Sequence, residues 1–167
     1  AAARSYVPSG SPLRIADYDT VNLTPAVVEK YLALVPRICE NGYDGHYGSS
    51  VEHDVYAVQA VARRIHYGAF YVAEVKYRAS PVRYREMIEA EDRGGILREL
   101  TRPEVEERII HRVREKVEKI QGPSNRKTRV LLPPEPVSDF YRDVVFPLTK
   151  EGEVLYLLNR RRDEPAR

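Results

Sequence analysis

Arg64 and Lys76 lie on one run of the chain, Arg63-Arg64-Ile65-His66-Tyr67-Gly68 leading into Val72-Ala73-Glu74-Val75-Lys76, with a single acid between them. Two cations fixed to one helix suit an anionic ligand. The step between them is twelve residues, which leaves them about 120° apart on an ideal helix, so one residue near Ala69, Phe70 and Tyr71 decides whether they converge. Only a π-bulge or local unwinding there would bring Lys76 round. Thr149 and Glu153 are four apart and share a face with Val145, Phe146, Tyr156 and Leu157, so the carboxyl is expected in low dielectric, where it needs a partner or a proton. Glu106 stands four residues after Arg102, a spacing that also permits an ordinary intrahelical pair. Arg102 itself opens a helix, where a cation opposes the dipole and calls for a nearby anion. Each of these residues taken singly is more often structural, but arginine, lysine, glutamate and threonine on different helices of one core point to an anion site. The four histidines show no metal-ligand spacing, and no nucleophile elbow, P-loop or dinucleotide fingerprint is present.

The elements that would carry these residues read as helices throughout. Residues 1–23, broken by Pro8, Gly10 and Pro12, are expected to form an extended arm. Thr24 caps a helix opened by Pro25 and kinked by Pro36, and Asn41 to Ser49 reads as a glycine-rich loop. From Ser50 to about Ala79, Val51, Val55, Val58, Ala62 and Ile65 keep the helical period, giving one helix much longer than the rest. Pro81 ends it and opens the next, and a short helix follows Gly94-Gly95. Thr101 to Gln121 is amphipathic through Val105, Ile109, Val113 and Val117. Residues 122–137 read as a long loop, and Ser138 as the cap of a final helix reaching about Arg162, kinked by Pro147. The class is all-α, a helical bundle, with a single domain over 24–163 and a tail over 164–167.

Composition narrows the function. With 27 basic and 25 acidic residues the net charge is only +2, so the basic field of a nucleic-acid binder is absent and no such partner is expected. Arg160-Arg161-Arg162 reads as a solvated helix end. No run of 18 apolar residues suggests a membrane span, and one cysteine, Cys39, excludes an internal disulfide framework. Ala1-Ala2-Ala3-Arg4 suits a chain trimmed after small residues, as in secretion, with a cytoplasmic chain as the alternative.

Several motifs resemble the all-helical chorismate mutases of fungi and plants: Tyr47-Gly48-Ser49, Arg63 to Gly68, Ala73 to Lys76, Asp92-Arg93-Gly94-Gly95-Ile96, Val105-Glu106-Glu107, Pro147 to Glu151, and Tyr156-Leu157-Leu158. Their order and spacing hold from about residue 20 to 162. The resemblance implies the rearrangement of chorismate to prephenate, without cofactor, metal or covalent intermediate. It implies that Arg64 binds a carboxylate, that Lys76 and Glu153 address the ether oxygen, and that Glu106 holds the ring-hydroxyl side. Thr149 would support a carboxylate and Arg102 would face the substrate.

The chain also departs from that pattern. The family begins with a long helix bearing a second carboxylate-binding arginine, whereas residues 1–23 offer only Arg4 and Arg14, so the bundle reads as truncated at its N-terminus. Arg102 stands where the family has a small polar residue. Lys76 is displaced by the extra residue, and His46 replaces the usual asparagine before Tyr47-Gly48-Ser49, so that His46 and Ser49 read as a vestigial regulatory loop. Removing one partner of a buried charge pair costs roughly 3–5 kcal/mol, so one absent arginine removes about two to four decades of rate. The expectation is therefore a mutase-like protein with lost or strongly reduced activity, secreted and acting as a binding or effector protein. It would work through a protein partner or a homodimer, with the 122–137 loop facing the partner. The alternative is an active mutase whose missing arginine comes from the arm or from a partner subunit.

Overall fold

Prolines at the first or second position open four of the α-helices where the missing N–H removes no intrahelical bond. The computed structural model describes residues 11–39, 42, 45–122 and 132–161. Its helices are α1 (Thr24–Ile38), α2 (Tyr47–Ala79), α3 (Pro81–Glu89), α4 (Arg93–Leu100), α5 (Pro103–Ile120), α6 (Pro134–Phe140) and α7 (Phe146–Leu158). The all-α class read from the sequence holds: among the described residues the only β pairing is an isolated bridge between Ile15 and Arg160. No described helix is long and apolar enough to cross a membrane.

The 33 residues of α2 make a rod about 50 Å long. Its second half packs against α7, and small residues let the two backbones approach: a Cβ added at Gly152 would stand 2.9 Å from the Cβ of Ala69. Ala69, Phe70, Ala73, Tyr77, Val154, Tyr156 and Leu157 form the core between them, completed by Tyr84, Ile96 and Leu100. A second cluster joins Val27 and Leu34 of α1 to Ile65, Phe140 and Val145. The first half of α2 is uncovered, with Val51 and Val55 61% and 49% exposed although they keep the helical period.

Of the segment before α1, residues 11–23 are described; they turn over 18–21 and are tied down. Ile15 and Val21 are buried, Ala16 N–H donates to the Asn159 carbonyl at 3.0 Å, and Arg161 N–H donates to the Arg14 carbonyl at 2.8 Å. Leu23 N–H donates to Nε2 of His66 at 2.9 Å, while His66 Nδ1 donates to the Ala62 carbonyl, a pairing that fixes a neutral ring. Burial pulls the His66 pKa down, in keeping with that tautomer.

Several boundaries differ from the sequence reading. Residues 47–49 are already helical, and 134–137 belong to α6 rather than to a loop. Ser138 is fully buried inside α6, donating to the Glu135 carbonyl and accepting from Arg114, and caps nothing. Between α6 and α7 the chain forms a π-turn over Tyr141–Val145, in which Phe146 N–H reaches back five residues to the Tyr141 carbonyl. Pro147 explains it: an α-helical register would place its ring against the Asp143 carbonyl, and one widened turn relieves that clash. The chain leaves the helix at Leu158, so Arg160 does not end it in solvent. Its side chain, 4% exposed, grips Glu74 through Nε at 2.7 Å and lies over the Tyr77 ring at 3.8 Å. Arg4, Asn41, Arg162, the tail 164–167 and residues 123–131 of the expected partner-facing loop lie outside the described residues.

Candidate active site

Three helices and a joint enclose a cavity of about 300 Å³. Arg64, Gly68, Val72 and Lys76 enter it from α2, and Leu100 and Arg102 from the α4–α5 joint. Val105, Glu106 and Ile109 come from α5, and Phe146, Thr149, Lys150 and Glu153 from α7. Arg64, Lys76, Arg102, Glu106, Thr149 and Glu153 are thus brought together from three helices and one joint. His46 and Ser49 are not among them. They stand at the start of α2, and Ser49 precedes Arg64 by fifteen residues, about 22 Å along the axis.

There is no bulge near Phe70, where α2 stays α-helical through Tyr71. Arg64, Gly68, Val72 and Lys76 instead follow a four-residue stripe, which drifts about 40° per step around a helix. A long side chain closes the remaining angle: Lys76 Nζ reaches across to donate to the Leu100 carbonyl at 2.9 Å. Half-buried, it has its pKa lowered chiefly by desolvation, with the Glu153 charge opposing.

Arg64 is exposed toward the cavity and makes no hydrogen bond or ion pair with another described residue. Gly68 makes room for it, since a Cβ there would lie 2.5 Å from Arg64 Nη1. Glu153 is 6% exposed, and its carboxyl has no hydrogen-bond partner among the described residues. Desolvation pushes its pKa up to about 7, with Lys76 and Lys150 pulling down and Glu106 pushing up. A carboxyl so placed keeps its proton up to about neutral pH, in a cavity otherwise rich in cations. The Thr149 hydroxyl donates to the Val145 carbonyl at 2.6 Å, so it can donate to a ligand only by exchanging that bond.

Arg102 and Glu106 do not form the intrahelical pair their spacing permits. Arg102 is the N-cap of α5 and donates to the Thr101 carbonyl, while Glu106 pairs across to Lys150 on α7 at 2.6 Å. Lys150 was legible as a lining residue, standing three before Glu153 on the same helical face, but its type alone reads as a solvated lysine. Arg14, the arm's described candidate for a further cation, lines a different cavity with Tyr77, Arg78, Pro81 and Arg160. Within the described residues the positive groups of the site are Arg64, Lys76, Arg102 and Lys150.

No family model matches the chain. Relatives are nonetheless plain. The chloroplastic chorismate mutase 1 of Petunia hybrida is 45% identical over 150 residues, covering 85% of this chain and 46% of that protein. The chorismate mutase of Saccharomyces cerevisiae is 34% identical over 164 residues, covering 94% of this chain and 63% of its own length. Among solved structures, a Candida albicans chorismate mutase in complex with L-Trp superposes with a TM-score of 0.79 at 30% identity, covering 92% of this chain and 60% of that one. The chain therefore spans about half to three fifths of the length of the proteins it matches.

These findings overturn the expectation of a catalytically lost effector. Relatives at 34–45% identity are named as the enzyme, and they align across most of this chain. The physical grounds for expecting loss also weaken, since the cavity holds four cations and Lys76 needs no bulge to reach it. Over 85–94% of its length the chain is similar to the all-helical chorismate mutases of plants and fungi.

Proposed function

We propose that this chain binds chorismate in the α2–α5–α7 cavity and rearranges it to prephenate. The observation that carries the reading is the cavity's composition. It combines four cations with an ionised and a protonatable carboxyl against an apolar wall of Val72, Leu100, Val105, Ile109 and Phe146. A compact dianion with an apolar ring matches that distribution of charge.

In the reaction the ether C–O bond breaks as a C–C bond forms within the same molecule, so all electrons stay in the substrate and no proton is transferred. The protein's work is to hold the folded conformer and to stabilise negative charge growing on the ether oxygen. Arg64 and Arg102 meet the two carboxylates, with Arg102 taking the place expected of an arginine on the arm. Lys76 and protonated Glu153 donate to the ether oxygen. Ionised Glu106, held by Lys150, accepts from the ring hydroxyl. Thr149 supports a carboxylate once its hydroxyl turns from Val145.

The test is spectrophotometric chorismate loss with the purified chain. Turnover is expected, and Arg64→Ala should lower kcat/KM by about two to four decades, as expected for deleting one partner of a desolvated charge pair. A folded chain that leaves chorismate untouched would end this reading.

A further inference from the structure

Leu23 is the N-cap of α1 and brings no side-chain cap of its own. Backbone N–H groups at a helix start find no acceptor within their own turns. At Leu23 the acceptor comes from another helix, because its N–H donates at 2.9 Å to Nε2 of His66 on α2, 43 residues along the chain. The other ring nitrogen, Nδ1, meets the Ala62 carbonyl at 2.9 Å, and the ring packs on Phe70 with centroids 5.5 Å apart. With Nδ1 donating, Nε2 must keep its lone pair for Leu23, so the geometry has room for one ring proton. A second would set two donors face to face. Arg64 and Gly68 each stand two residues from His66, about 200° around the helix, so the ring faces away from the cavity. What it holds is part of the core: Leu23 Cδ1 would lie 3.3 Å from a Cβ at Gly152, and Val21 and Val27 on either side are 1% and 0% exposed.

We propose that His66 is an acid-sensitive latch: its neutral ring fastens the start of α1 to α2, and a second ring proton loosens the chain around Leu23 while the α2–α7 core stays closed. Burial, the larger influence, lowers the His66 pKa from 6.5, against the Ala62 carbonyl, which raises it. No charged group of the segment before α1, of α1, of α2 or of α7 contributes to that shift, Asp19, Glu29, Arg63, Arg64, Lys150 and Glu153 included. The ring's protonation therefore answers to its own burial and hydrogen bonds. A base whose folded pKa is depressed lends its stability in full above the unfolded value and loses it as the pH falls through the folded one, so the latch is whole above pH 6.5 and opens in acid.

The inference is independent of the proposed rearrangement, and its readouts need no turnover. Nitrogen-15 NMR of the imidazoles should find the His66 proton on Nδ1 at neutral pH. Amide hydrogen exchange, corrected for its intrinsic pH dependence, should show the protection of Leu23 and Val27 falling at least about tenfold in acid, as expected for a half-buried donor left unmet, while Val154 in the core keeps its own. His66→Gln supplies an acceptor near the Nε2 position that does not titrate, so Leu23 should stay protected across the same range; His66→Phe supplies none, so Leu23 should be weakly protected throughout. A ring proton on Nε2 overturns the proposal, as does Leu23 protection that ignores pH in the wild type or falls equally in His66→Gln. A fall shared by Val154 overturns it too, because the chain would then be opening as a whole.

Discussion

Glu153→Gln replaces an acid whose proton comes and goes with a side chain of similar volume that always donates. Glu153 is 6% exposed, and burial lifts its pKa from 4.5 to about 7. An acid whose folded pKa lies above its unfolded value holds its proton more tightly in the folded chain, so raising the pH through that interval penalises folding. Below pH 4.5 both states are protonated and the penalty is absent; it grows between 4.5 and 7 and is complete above. At 1.36 kcal/mol per pH unit, the interval amounts to roughly 3 kcal/mol. Glutamine escapes the penalty. Urea unfolding of the two proteins should therefore show little pH-dependent difference at pH 4 and a gain in the variant's relative stability of about 2–3 kcal/mol by pH 8.

The same proton should set the rate. If the donor to the ether oxygen is protonated Glu153, wild-type kcat/KM falls about tenfold between pH 6 and pH 8, following the protonated fraction of an acid titrating near 7. Glu153→Gln should be flat over that range. A stability difference that stays constant from pH 4 to pH 8, or an alkaline limb shared by both proteins, would refute the reasoning, because either result means the carboxyl does not titrate where its burial places it.

Gly68→Ala should raise KM for chorismate about tenfold with less than about 1 kcal/mol change in stability, because the added Cβ displaces only the flexible end of Arg64; steady-state kinetics beside a thermal melt tests this. Arg102→Ala should lower kcat/KM by at least about tenfold while Arg14→Ala leaves it unchanged, and kinetics on the pair distinguishes the joint from the arm as the source of the further cation. Glu74→Gln should destabilise the chain by about 3–5 kcal/mol at pH 7, measured by urea unfolding, since it strips charge from a buried partner of Arg160. Hydrogen bonds from Arg160, Tyr156 and Arg78 outweigh desolvation and hold the Glu74 pKa at about 2. That contribution is therefore present above pH 4.5 and lost as the pH falls toward 2, so the deficit of Glu74→Gln should shrink in acid.

The helices were legible because apolar period and proline placement are local signals. The stripe Val105, Ile109, Val113 and Val117 and the breaks at Pro25 and Pro81 each mark an element that forms. Where the reading failed, the deciding contact lies far away in sequence. Ser138 has the residue type of a cap, but Arg114 and the Glu135 carbonyl claim its hydroxyl within a buried turn. Arg160 has the context of a solvated helix end, but its partner Glu74 is 86 residues away. The candidate site was legible in residue type and, through the resemblance, in membership. Two things were not: that a straight helix could deliver Lys76 by side-chain reach, and that Glu106 would turn from Arg102 to Lys150. Both are settled by the distance between helices, which periodicity does not encode.

Glu74 and Lys76 show how one short motif serves two ends. Two residues apart on a helix means about 200° around it, so the pair must face nearly opposite sides. Glu74 turns toward Tyr156, Arg78 and Arg160, where every charge is met at hydrogen-bond distance. Lys76 turns into the cavity, where cations outnumber acids and Arg64 has no partner among the described residues. Burial pushes both carboxyls up, yet Glu74 ends at about 2 and Glu153 at about 7. The difference is whether donors meet the carboxylate. A network closed in this way holds the fold. Positive charge left uncompensated beside an unmet buried acid has no such internal answer, and a dianionic substrate would supply it.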